Sequence, residues 1–264
     1  MRKLAIGGSR ALCRTSLDSK KWEAMTVRNV TVVAPISSLG GRRFEPQAEL
    51  ILHDLAEPAA ASLPGTAGEV LLIPEMPSPL GLPDFIALAG GRDWLQARGA
   101  VGIQPLLAEA DCSVLAVLHP GQALSSATIA RRVGWSPAAL EPVLNRLQSA
   151  GAIEKTPGGA HRVNPVLVPR GSVFALEAKV KDWQKAVLQG RAYRSWADNY
   201  VVLLGDVGPV AVRRAAERVA HDGAGLYSSS GWVVRPRARR PAPAKRLWGF
   251  EHLYAATASS APAL

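Results

Sequence analysis

The segment from Ser172 to Val180 constrains this chain more than any other stretch. It reads as a strand, an apolar run interrupted by two charges one residue apart. Residues i and i+2 of a strand point to the same side. Glu177 and Lys179 therefore share one face. Phe174, Leu176, Ala178 and Val180 take the other, where they can enter a core. Charges on a buried strand are costly unless they have partners, so a chain built around this strand must supply a polar site on that face.

The flanking pattern sets the fold class. After Pro169 the reading is the strand above, a helix from Trp183 to about Ala197 capped by Asp182, and a buried strand over Tyr200–Leu204. A helix opened by Pro209 and strands from Gly225 to Val234 follow. Upstream, Val30–Val33 is strand-like, Gly40–Arg43 is loop-like, and Pro46 opens a helix to about Leu55. Pro58 and Pro64 bracket a loop. Strands over Glu69–Ile73 and Pro83–Ala89, joined by a Pro-rich turn, predict a hairpin that ends at Gly90 and Gly91.

Between these halves the character changes. Leu106–His119 is helical, and Ser125 caps a short helix that stops before Gly134. Ser136 and Pro137 open a third helix with an apolar stripe at Leu140, Val143, Leu144 and Leu147. Gly151 ends it, and a small hairpin runs through Ile153 and Val163. Three helices and a hairpin predict a winged helix-turn-helix, and Ala127–Ser136 resembles the core of such modules. The chain is thus expected to be α/β, a mixed sheet flanked by helices, with the winged helix inserted between core strands. The expected units are 1–102, 103–168 and 169–250, with 251–264 as a disordered tail and 235–246 irregular.

Charge narrows the partners. The net charge is +10. Residues 170–246 hold 15 Lys/Arg against 6 Asp/Glu, whereas residues 100–169 hold 5 against 4, so the excess lies in the last third. Such a region suits a polyanion, most often nucleic acid; a solvated basic surface is the plain alternative. Two cysteines, Cys13 and Cys112, show no sign of pairing, which fits a reducing cytoplasm. No apolar run of ~18 residues predicts a membrane span, and the apolar start at Leu4–Ile6 breaks off at Ser9 and Arg10, so export is not expected. The five histidines show no metal-ligand spacing. No Walker-type glycine loop appears, so a nucleotide cofactor is not expected.

One carboxylate holds a divalent cation poorly, and Asp84, after Pro83 at the start of an apolar strand, is the natural second. Pro83-Asp84, then Glu177-Ala178-Lys179, resembles the PD-(D/E)xK nuclease superfamily, whose fold is restriction-endonuclease-like. The two motifs stand further apart than in most members, and the insert accounts for the gap. The resemblance implies Asp84 and Glu177 as metal ligands, Lys179 as the catalytic lysine, and Mg²⁺, or Mn²⁺, as cofactor. Gln189 and Tyr193 match the Gln-x-x-x-Tyr signature of the RecB-like branch and join the expected catalytic set. Glu49 matches, by position alone, an upstream acid that some members use for metal; Glu75 competes with it.

The implied function is hydrolysis of DNA phosphodiester bonds by a cytoplasmic enzyme, in bacterial defence or repair, with a homodimer fitting double-strand cleavage. Arg131, Arg132, Asn145 and Arg146 on the winged helix, and Lys181, Arg191 and Arg194 beside the motif, are the expected nucleic-acid contacts. The basic segment Arg235–Arg246 either tracks a phosphate backbone or forms a solvated arm. The rival readings are a non-catalytic winged-helix DNA-binding regulator and an interaction subunit on a degenerate nuclease fold.

Overall fold

A computed structural model describes residues 30–33, 52–66 and 68–258. Glu49, Cys13, the loop at 40–43 and most of the helix expected from Pro46 lie outside these residues. Seven strands form one sheet: β1 (Val30–Val32), β2 (Val70–Pro74), β3 (Phe85–Ala89), β6 (Ser172–Lys179), β7 (Asn199–Leu204), β8 (Gly225–Ser228) and β9 (Gly231–Val234), in that spatial order. β1 and β2 are parallel, β2, β3 and β6 antiparallel, β6, β7 and β8 parallel, and β9 closes as an antiparallel hairpin strand. The chain is therefore α/β with a mixed central sheet flanked by helices, as expected.

Helices cover both faces, so the central strands are mostly apolar, with Glu177, Lys179 and Asn199 as buried exceptions. On one face Ile86, Leu88, Val173, Ala175 and Val202 pack under α6 (Trp183–Tyr193), α7 (Pro209–Asp222) and α8 (Pro243–Ala258). On the other, Leu72, Phe85, Phe174 and Leu203 pack under α1 (Ala56–Ala61). Pro58, expected in a loop, lies in α1's first turn, where a missing N–H costs nothing.

β3 pairs with β6 through Ala89 opposite Ser172. Everything between leaves and re-enters the sheet at the same end. Gly171 makes the re-entry fit: its φ is +91°, and a Cβ there would stand 2.7 Å from Ala89 O.

The intervening chain opens with α2 (Arg92–Ala100), which the sequence did not suggest. It continues as α3 (Glu109–Leu115), α4 (Ser126–Val133), α5 (Pro137–Ser149) and the hairpin β4 (Ile153–Lys155) and β5 (His161–Val163). The expected caps are present: Ser125 accepts from Thr128 N–H, Ser136 accepts from Ala139 N–H, and Gly134 is left-handed. Cys112, Val114, Ile129, Leu144, Leu147 and Val163 give this unit its own core.

α8 corrects the expected tail. Residues 251–258 are its last turns, and Leu247, Phe250, Leu253 and Tyr254 are buried. Leu247 joins the core of the three-helix unit, while Phe250 and Leu253 join that of the sheet, so α8 ties the two together. The tie includes a buried ion pair. Glu251 accepts from Arg98 at 3.0 Å and from Leu106 N–H at 2.8 Å, and Arg98 also donates to Ile103 O and Gln104 O. Both side chains are fully buried. No helix among the described residues is long and apolar enough to cross a membrane.

Candidate functional site

Continuing the β3–β6 register one step past Phe85 opposite Leu176 sets Asp84 opposite Glu177. Both project to the face that carries Ile86 and Ala175, beneath α6. Lys179, two residues on, shares that face. Its Nζ lies 2.9 Å from Glu177 Oε1 and 3.8 Å from Asp84 Oδ2, and it donates to Ala178 O at 2.7 Å. The Ala178 N–H donates to Asp84 Oδ2 at 2.6 Å. All three charged side chains are buried, Glu177 completely. Residues distant in sequence thus form one compact charged group, in which, among the described residues, two carboxylates approach the same ammonium.

Tyr193, at the end of α6, covers this group. Its hydroxyl donates to Glu177 Oε2 at 3.0 Å, which fixes the carboxylate's orientation. α6 lies close to the sheet because Gly190 meets the Tyr200 ring; a Cβ at Gly190 would fall 2.2 Å from that ring. Asp182 caps the helix by accepting from Lys185 N–H, and the helix ends at Tyr193 rather than near Ala197. Gln189, one turn before Tyr193, is half-buried, and its Oε1 is shielded with no hydrogen-bond partner among the described residues. It makes none of the hydrogen bonds within the charged group.

The turn between β2 and β3 forms the lip. Glu75 has φ +46°, the one positive-φ residue other than glycine among the described residues, and its N–H bonds to Asp84 O at 3.0 Å. Strained backbone of this kind clusters at functional sites. Among the described residues no three His, Cys, Asp or Glu side chains converge as a metal-binding cluster.

The expected nucleic-acid contacts divide into two sets. On the three-helix unit, Arg146 is ion-paired with Asp111, Arg132 donates to Val117 O, and Arg131 and Asn145 are exposed. Beside the motif, Lys181 is exposed, and Arg191 grips Asp222 at 2.7 Å and 3.1 Å, with Arg194 at 3.8 Å. Burial favours the neutral acid of Asp222, but Arg191, Tyr200 and His221 outweigh it and hold the carboxyl at about 2. Burial, aided by the Asp222 hydrogen bond, pushes the Tyr200 hydroxyl up.

The segment after β9 is held, not a free arm. Arg237 N–H bonds to Gly223 O, Arg239 N–H to Asp198 O, and Asn199 Nδ2 to Arg237 O. Arg246, read in sequence as either tracking a phosphate backbone or lying on a solvated arm, is instead buried against Asp198 at 2.9 Å. Two cations of α7, Arg214 and Arg218, escaped the sequence reading, although their i, i+4 spacing on a solvent face was visible there. Compared with known protein families, curated proteins and solved structures, the chain matches none.

Proposed function

We propose that the chain is a metal-dependent deoxyribonuclease of restriction-endonuclease-like fold, with the three-helix unit as an inserted winged helix. The observation that carries this reading is the convergence of Asp84, Glu177 and Lys179 on one buried face, with Tyr193 donating to Glu177. Two hard carboxylate oxygens around one positive charge fit a site for Mg²⁺ or Mn²⁺. Asp84 and Glu177 would hold the ion, which supplies polarisation of a phosphoryl oxygen when bound.

The chain's own groups do the rest. Ala178 N–H and Tyr193 O–H fix the two carboxylates, so their orientation is set before substrate arrives. Lys179 brings a positive charge to the negative charge that develops on the phosphate. Burial lowers the local dielectric and strengthens that interaction. DNA as partner, a homodimer and a cytoplasmic setting in defence or repair belong to the same proposal. The ion pairing of Arg146 and Arg162 within the three-helix unit favours a spacer or interaction role for that unit over base reading.

The test is incubation of wild type, Asp84→Ala and Lys179→Ala with plasmid, linear and single-stranded DNA, in Mg²⁺, Mn²⁺ or EDTA. Cutting by wild type in a divalent ion, lost in both variants and in EDTA, is expected. DNA binding with no cutting in either ion sinks the proposal.

A further inference from the structure

Three surface hollows adjoin along the outer side of α6. The first, about 500 Å³, lies between Lys181, Trp183, Val210 and Arg214. The second, about 470 Å³, shares Trp183 and Arg214 and adds Leu188, Arg191 and Arg218. The third, about 440 Å³, shares Arg191 and adds Arg194, Arg239 and Arg240. Each falls within the roughly 300–1,000 Å³ typical of ligand sites. The first two hollows share Trp183 and Arg214 and the last two share Arg191, so the three follow one another as a groove along this surface. It starts at Lys181, two residues beyond Lys179, and runs past the C-terminal end of α6.

The groove is rich in cations, and the one carboxylate in its lining, Asp198 in the third hollow, is already ion-paired with Arg246. No carboxylate among the described residues lies within 4 Å of Lys181, Arg214, Arg218, Arg239 or Arg240, so these cations are uncommitted. Arg239 is pinned in place by its backbone bond to Asp198 O. Between the cations lie apolar surfaces. Trp183 is half-buried, Leu188 is 70% exposed and Val210 is 52% exposed, the last two among the most exposed large apolar side chains described.

Alternating cations and apolar surface match a polymer that alternates phosphates with flat apolar rings. We propose that this groove binds a single nucleic-acid strand, with phosphates on the arginines and bases against Trp183, Leu188 and Val210. An acidic peptide would use the cations but leave the apolar surfaces idle, and a duplex keeps its base faces stacked inside. The inference goes beyond the nuclease reading and stands without cleavage, because it concerns a surface on the far side of α6 from the buried carboxylates.

The test is fluorescence anisotropy in EDTA with the whole chain and a labelled single strand of about 15 nucleotides, a length matched to such sites. Wild type should bind with a log K against log[salt] slope of about −3, the value for roughly four phosphate contacts on a single strand. Arg214→Glu/Arg218→Glu and Arg239→Glu/Arg240→Glu should each weaken binding at least tenfold and roughly halve the slope. Lys155→Glu, an exposed cation on the hairpin of the three-helix unit, should leave both unchanged. An abasic strand of equal charge should bind more weakly than the normal one. The proposal is overturned if the groove variants, shown folded by circular dichroism, bind as wild type does. It is equally overturned if the duplex binds as tightly as the single strand, or if Lys155→Glu alone abolishes binding.

Discussion

Where α8 meets the three-helix unit, Arg98 faces Glu251 one to one; at the open ends of β3 and β6, Lys179 stands between two carboxylates. Both groups are buried, yet they are built differently. The guanidinium of Arg98 spends its donors on Glu251, Ile103 O and Gln104 O, and Glu251 takes a further backbone N–H. Charge and hydrogen bonds are matched, as a structural pair requires. Asp84 and Glu177 instead bring like charges towards one ammonium. Like charges held this close are characteristic of sites that act on something. The first group ties two cores together; the second gathers charge at one end of two strands.

The contrast breaks first at the matched pair. Arg98→Met leaves Glu251 buried with its cation gone, and a loss of about 3–5 kcal/mol is expected by urea unfolding. Arg98→Met/Glu251→Leu should recover most of it, since an apolar replacement restores balance. If the double variant is no better than the single, the pair is not a closed unit.

The Asp222 carboxylate provides a second matched case, readable by pH. Its folded pKa is about 2, below the ordinary value of 3.8. A depressed carboxyl gives stability that is present above the unfolded pKa and lost as pH falls through the folded one. At most about 2 kcal/mol should disappear between pH 4 and pH 2, and Asp222→Asn should flatten that part of the stability curve. An unchanged curve would mean that Arg191 and Tyr200 do not hold Asp222 in solution.

At the Asp84–Glu177 carboxylate pair the sign is expected to reverse. Asp84→Asn keeps an acceptor for Ala178 N–H while removing one of two like charges. In EDTA it should stabilise the chain by about 1 kcal/mol, a rise in Tm of about 2–4 °C. A clear fall in Tm would show that the carboxylates are balanced as a structural group is.

How much of this was legible in sequence follows the range of the interactions. The alternation within Ser172–Val180 placed Glu177 and Lys179 on one face because the strand period is local. Caps at Ser125, Ser136 and Asp182 were readable for the same reason. Asp84 could be joined to Glu177 only through a motif, since the antiparallel register that seats them opposite each other is a tertiary fact. α8 was hidden by Gly249, by its Pro-rich approach, and by Arg246 and Glu251, which look like surface residues until their distant partners Asp198 and Arg98 are known. The groove required α6 and α7 side by side before the spacing of Arg214 and Arg218 meant anything.

The central claim is that Asp84, Glu177 and Lys179 form a hydrolytic centre. Its most direct test is single-turnover cleavage of an end-labelled DNA strand as a function of Mg²⁺ concentration, for wild type and Lys179→Met. A rate that saturates in Mg²⁺ and vanishes in EDTA is predicted, with a loss of about 10²–10³-fold in Lys179→Met at unchanged strand binding. A wild type that binds the strand and leaves it intact at every Mg²⁺ concentration, or a Lys179→Met variant that cuts at the wild-type rate, would contradict the account.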